Sequence, residues 1–212
     1  MRTVTVVDYG IGNLLSVARA FEHCGATVLL TDDASKILTA DYLVLPGVGA
    51  FADGMAGLTE LGLVDPIKEY ATRERPLLGI CLGMQMMLDK SEEFGVTRGL
   101  GLIAGKVKAI PSVDVRGGAH KIPHIGWNQI YPPFSDTWRN TILDRTSKDT
   151  PFYFVHSFTA QPDAQEHRLA DCSYNGILIS AAISKDNIYG CQFHPEKSGR
   201  DGIIILNRFL NT

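Results

Sequence analysis

The sequence predicts an α/β fold: a mostly parallel, twisted sheet with helices on both faces, joined in the second half by an antiparallel β portion. Three observations carry that expectation. Short aliphatic runs without polar alternation occur at 4–7, 28–30, 42–45 and 77–80, the pattern of strands buried on both faces. Segments of helical spacing separate these runs, as in successive βα units. Beyond residue 100 the helical spacing nearly vanishes and strand-like runs follow one another.

The elements follow in order. Residues 4–7 are β-branched throughout and stop at the turn-rich Asp8-Tyr9-Gly10-Ile11-Gly12-Asn13. A helix is expected over 16–24, with Val17, Ala20, Phe21 and Cys24 on one face and Gly25 as its stop. Strands are expected at 28–30 and at 42–45, the second closed by Pro46-Gly47. Segment 58–70 has helical spacing broken at Gly62 and Pro66. A strand at 77–80 leads into a helix over roughly 84–90. Later strands are expected at 102–110, 152–159, 168–174, 178–185 and 188–193. A closing helix over 201–210 has Ile204, Ile205 and Phe209 on its apolar face. Residues 111–150, rich in Pro, Gly and aromatics, read as long surface loops. No internal repeat, low-complexity tract or linker interrupts the chain, so one domain over 1–212 is expected.

Composition narrows the function. The 212 residues are 45% hydrophobic and 20% charged, as in a globular enzyme; a chain of this length buries about 70% of its unfolded surface and needs no staple. Net charge is −3, from 20 basic and 23 acidic residues, which argues against a nucleic-acid or anionic-membrane partner. No apolar run approaches the ~20 residues of a membrane span, and the N-terminal run is too short for a signal peptide. The cysteines (Cys24, Cys81, Cys172 and Cys191) form no CxxC pair. That disfavours a zinc knuckle and fits free thiols in the cytoplasm. His120 and His124 have the spacing of helical zinc ligands, but Pro123 and Gly126 oppose a helix there. No metal and no cofactor are expected. The loop 8–13 resembles a dinucleotide turn, yet Leu15 stands where the third glycine belongs.

Chemistry concentrates in three segments. In Gly79-Ile80-Cys81-Leu82-Gly83 a buried strand runs into a helix through a sharp turn. This is the nucleophile-elbow pattern with Cys in place of Ser. Side chains at the two glycine positions would strike neighbouring backbone. The start of the next helix favours negative charge on the sulfur. Gln192-Phe193-His194-Pro195-Glu196 supplies a base and its orienter: in extended chain, residues 194 and 196 face the same way. Pro46-Gly47-Val48-Gly49-Ala50-Phe51 follows a predicted strand and can offer backbone N–H groups to an oxyanion.

These segments, in this order, resemble the class I (triad-type) glutamine amidotransferases over essentially the whole chain. Lys121-Ile122-Pro123-His124-Ile125-Gly126-Trp127-Asn128, Phe154-Val155-His156-Ser157-Phe158 and His194-Pro195-Glu196-Lys197-Ser198-Gly199 narrow the resemblance. They are similar to the glutaminase subunits of imidazole glycerol phosphate synthases. Paralogous glutaminases that feed nucleotide-sugar amination share these motifs and are the alternative. The resemblance implies Cys81 as nucleophile, His194 as general base and acid, and Glu196 as orienter. It implies an oxyanion hole from the amides of Leu82 and of Val48 or Gly49, and a glutamine site at Gly47, Gln85 and the backbone of His156, Ser157 and Phe158. Lys121, Pro123, His124, Trp127, Asn128 and Lys197 would face a synthase (cyclase) subunit, expected to be a (β/α)₈ barrel in a heterodimer. Phe158 stands where relatives commonly carry Tyr. Aromatics Trp127, Tyr131 and Trp138 are further candidates for docking.

Overall fold

A computed structural model describes residues 2–212. The strands are β1 (Thr3–Val7), β2 (Thr27–Thr31), β3 (Tyr42–Leu45), β4 (Leu77–Ile80), β5 (Leu88–Ser91), β6 (Thr97–Arg98), β7 (Ile103–Ala109), β8 (His124–Gln129), β9 (Pro151–His156), β10 (Phe158–Pro162), β11 (Arg168–Tyr174), β12 (Ile177–Lys185) and β13 (Ile188–Cys191). The α-helices are α1 (Leu14–His23), α2 (Ala34–Thr39), α3 (Phe51–Glu60), α4 (Val64–Ala71), α5 (Leu82–Met86) and α6 (Gly199–Phe209). Among the described residues, no helix is long and apolar enough to cross a membrane.

The main sheet has the order β11-β12-β13-β4-β3-β1-β2. Its strands from β13 to β2 pair in parallel, and β12 and β11 add an antiparallel flank. Both faces are covered, and the strands show it residue by residue. Val4, Val6, Val44, Leu78 and Ile80 pack with α1 and α6 residues such as Phe21 and Phe209. Val7, Leu43, Leu45 and Leu77 point the other way, toward Ile37, Leu58 and Tyr70 of α2, α3 and α4. Alternate residues of one strand thus feed two separate cores. A second sheet, β10-β7-β5-β6, lies beside the second core, and β8 and β9 form a two-stranded antiparallel ribbon.

Four local expectations are corrected. Gly62, at φ +66°, ends the turn between α3 and α4, but Pro66 does not interrupt. It sits in the first turn of α4, where its missing N–H has no helical partner to lose. The helix expected over 84–90 is the five-residue α5, because Leu88 onward leaves to pair with β7. The loop reading of 111–150 misses β8, whose exposed Ile125 and Trp127 alternate with inward-turned neighbours. The run 152–159 is two strands, divided at Ser157. Helix α2 was not expected; Asp33 caps it by accepting from the Ser35 backbone N–H at 2.8 Å.

Candidate active site

The carboxyl ends of β3, β4 and β13 adjoin in the sheet, so the loops that follow them converge. Such a rim is where open α/β sheets place their ligands. Cys81 is the residue between β4 and α5, with φ 53° and ψ −108°. An L-residue holds that conformation only where its surroundings enforce it, at a cost of ~1–3 kcal/mol. Here its N–H donates to the Cys191 carbonyl at 2.7 Å, and its own carbonyl accepts from the Gln85 N–H at 3.2 Å. A Cβ on Gly79 would come within 2.7 Å of the Met84 nitrogen, and one on Gly83 would collide with the Leu45 carbonyl. The two glycines are therefore the condition for the turn.

His194 and Glu196 are brought together, by a route other than the expected one. Residues Pro195–Lys197 form one turn of 3₁₀ helix instead of extended chain. The turn folds the Glu196 carboxylate back, and its Oε1 lies 2.8 Å from His194 Nδ1. Both side chains are almost fully buried, at 2% and 1% exposure. Ser198 holds the turn: its hydroxyl donates to the His194 carbonyl at 2.7 Å and accepts the Tyr153 N–H at 3.0 Å. Each such bond is worth about 1 kcal/mol net. The His194 N–H donates in turn to the Tyr153 carbonyl.

With Nδ1 committed to Glu196, His194 Nε2 is the ring nitrogen left free. It is buried and has no hydrogen-bond partner among the described residues. Burial of the ring opposes its charge, but Cys81 and the Glu196 carboxylate outweigh that and push His194 up to about 9. No hydrogen bond of ordinary geometry joins His194 to Cys81. Catalytic hydrogen bonds are commonly long before substrate arrives.

Around Cys81 opens a cleft of about 230 Å³, lined by Gly49, Gln85, Glu93, Pro123, Val155, His156, Ser157 and Phe158. A larger groove of about 600 Å³ runs along α3 past Met55, Glu60 and Arg98, and none of its lining residues is a cysteine or histidine. Gln85 is held from two sides. Its Nε2 donates to the Phe158 carbonyl at 3.1 Å and to Gln192 Oε1 at 2.9 Å. Gln192, fully buried, points its own Nε2 at Cys81 Sγ from 3.7 Å. Gly47 lies against α5, with room for no side chain between Tyr9 and Leu82. Tyr9 donates its hydroxyl to the Pro46 carbonyl at 2.7 Å and so fixes this loop.

The expected oxyanion donors are only partly free. Gly49, at φ +96°, lines the cleft, while Val48 is 38% exposed beside it. The Leu82 N–H is engaged by the Gly47 carbonyl at a long 3.3 Å. Among the residues expected to face a partner, Lys121, Trp127 and Lys197 are exposed and Pro123 is partly so. His124 is not: at 2% exposure it is turned inward beneath Tyr174. Asn128 spends its amide on the Ser173 carbonyl and on His124. Trp138 is also buried, its indole donating to the Leu169 carbonyl at 2.8 Å.

Sequence reasoning assigned no role to Gln192, Ser198 or Tyr9, although all three stand in the motifs quoted above, and did not point to Glu93 at all. Gln192 and Ser198 had a signal, since they stand two residues before and four after His194. Glu93 had none. It reaches the cleft from the turn after β5, where its carboxylate accepts the Phe51 N–H at the start of α3 (2.8 Å).

Residues 5–211 match the family model described as glutamine amidotransferase class-I. The chain is 56% identical over 211 residues, 99% of both chains, to imidazole glycerol phosphate synthase subunit HisH 1 of Legionella pneumophila (strain Lens). It is 43% identical over 210 residues to subunit HisH of Geobacillus thermodenitrificans, covering 99% of this chain and 96% of that one. Among solved structures, PurLQS from Thermotoga maritima superposes with a TM-score of 0.72 at 19% identity, over 99% of this chain and 98% of that one.

Proposed function

The chain belongs to the class I glutamine amidotransferase family, and from that premise we propose that it is the glutaminase subunit of an imidazole glycerol phosphate synthase. It hydrolyses L-glutamine to glutamate and delivers the ammonia to a synthase subunit, for imidazole ring formation in histidine biosynthesis. The observations that support the reading are the strained elbow that holds Cys81 and the His194 ring, with one nitrogen tied to a buried Glu196 and the other unpartnered.

The chemistry follows from that placement. The Cys81 sulfur, as thiolate, attacks the side-chain amide carbon of glutamine. Its partner at that moment is the His194 imidazolium, which the buried carboxylate stabilises. Nε2 then gives its proton to the departing nitrogen, the C–N bond breaks, and ammonia leaves behind a γ-glutamyl thioester. His194, now neutral, takes a proton from water as the water oxygen attacks the thioester carbon. Collapse returns the thiolate and releases glutamate. The oxyanion of both tetrahedral species would lie on the Leu82 amide and the 48–49 amides. For that, the Gly47 carbonyl must yield the Leu82 N–H, a weak bond to break at 3.3 Å.

The cleft offers acceptors to the α-ammonium group of the substrate. Both hydrogens of the Gln85 amide are committed to Phe158 and Gln192, so Oε1 is the atom left to accept from an α-ammonium group. Glu93 adds a carboxylate in the same cleft. Backbone of Gly47 and of His156, Ser157 and Phe158 completes the walls. Ammonia released into neutral water is protonated and ceases to be a nucleophile, so it must pass directly to a second site. No phosphate-binding signature in this chain supplies one, which supports a synthase partner, as a (β/α)₈ barrel in a heterodimer. The exposed Ile125 and Trp127 of β8, with Lys121 and Lys197, are the face we assign to it. The subunit is expected to act in the cytoplasm.

The test is glutamate release by the chain mixed with the synthase subunit and its ligand, paired with rescue of a histidine auxotroph lacking its own glutaminase subunit. The proposal expects both. Glutamate release without rescue would reassign the acceptor to a nucleotide sugar, and no release would reject the chemistry.

A further inference from the structure

Two further histidines are buried at and behind the cleft, and the proposed chemistry makes no use of either imidazole ring. They are His124 of β8 and His156 of β9, exposed by 2% and 7%. Their hydrogen bonds can be read in one direction only. His156 Nδ1 lies 2.7 Å from the Phe158 carbonyl. A carbonyl accepts and never donates, so Nδ1 carries the proton and Nε2 is an acceptor. His124 Nδ1 lies 2.9 Å from that Nε2 and must carry its own proton. That leaves His124 Nε2 as an acceptor for the Asn128 amide at 3.3 Å, while the same amide donates to the Ser173 carbonyl at 2.9 Å. All four ring nitrogens are partnered, with one proton on each ring. The His124 ring is stacked between Phe154 and Tyr174, with centroids 4.9 and 4.1 Å away. Burial independently disfavours a second proton, holding His124 down to about 4 and His156 down to about 3.

The far end of this wire is the Phe158 carbonyl, which also receives Gln85 Nε2. Its two lone-pair directions are therefore divided between His156 and Gln85. We propose that the His124–His156 pair is a positioning device that fixes the Phe158 carbonyl, and through it the Gln85 amide, in the orientation that receives the amino-acid end of glutamine. This rests on the glutaminase reading above. The pair touches neither the thiol nor the scissile amide, so its loss acts on glutamine affinity and leaves the chemical steps alone. It also links the glutamine site to β8, whose outer face carries Ile125 and Trp127.

The test uses two substitutions in the full chain with its synthase partner and ligand bound. His124→Phe keeps a ring in the aromatic stack and removes both nitrogens. His124→Asn keeps a donor near the Nδ1 position. The proposal expects His124→Phe to raise KM for glutamine about tenfold with kcat within about twofold, the loss of one such bond, and His124→Asn to recover most of it. Nitrogen-15 spectra of the histidine rings near neutral pH should show both rings neutral with the proton on Nδ1. A ring found with its proton on Nε2 would overturn the proposal. So would an unchanged KM in His124→Phe, or equal impairment of both variants accompanied by a lowered melting temperature. A wild-type complex without glutaminase activity would sink the functional reading and this proposal together, whereas normal wild-type turnover with an unaffected His124→Phe KM sinks the proposal alone.

Discussion

The rim of the main sheet and the β8–β9 ribbon both place buried histidines within reach of the cleft, and they do opposite things with them. At the rim, His194 is paired with a buried carboxylate and a thiol, and its proton is held up to about 9. In the ribbon, the ring nitrogens of His124 and His156 bond only to each other and to neutral amide groups, and burial drives their protons off, with the His194 charge adding to the effect on His156. Under the proposed mechanism the same side chain is an acid–base in one place and a neutral spacer in the other, and the difference lies in what its second nitrogen touches.

The largest blow to the rim is Cys81→Ala. It should lower glutamate release by about 10⁴-fold or more with circular dichroism and melting temperature preserved; residual turnover near wild type would remove the nucleophile from the account. Glu196→Gln comes next. It leaves an acceptor near Nδ1 but no charge, and kcat should fall about 100-fold or more with KM little altered; a change confined to KM contradicts the orienting role. Trp127→Ala strikes the outer face of the ribbon and should weaken binding of the synthase subunit about tenfold or more in a titration. Unchanged affinity would move the docking face elsewhere.

The smallest effect is on stability, and its sign separates the two regions. His194 has a folded-state pKa above the ordinary 6.5, so its contribution is complete below about pH 6.5 and is lost as pH rises through 9. His124 and His156 have depressed values, so theirs is complete above about pH 6.5 and is lost as pH falls through 4 and 3. Melting temperatures across pH should therefore drop on both sides. His194→Asn should flatten the alkaline limb and His124→Phe the acid limb. If one substitution flattened both limbs, the contrast between the regions would fail.

The rim was legible because its requirements are local. A sharp turn needs Gly79 and Gly83 within two residues of Cys81, and a base can be tied to its orienter across Pro195. Even there the sequence misled on geometry, since extended chain and a 3₁₀ turn both bring residues 194 and 196 together. The ribbon was hard to read because its logic is non-local. His124 meets His156 only through the β8–β9 register, and Gly126 and the nearby prolines masked the strand. Trp138 looked like a docking aromatic but finds the Leu169 carbonyl and closes a core instead. Glu93 is the extreme case, a carboxylate carried into the cleft by a turn that no spacing announces.

A covalent label decides most directly whether Cys81 is the attacking atom. The full chain, with its synthase partner and ligand bound, is incubated with a diazoketone analogue of glutamine and digested for mass spectrometry. The account predicts one adduct per chain, on Cys81, abolished by excess glutamine and lost in parallel with activity. An adduct on Cys24, Cys172 or Cys191, or full labelling of Cys81 that leaves glutamate release intact, would contradict it.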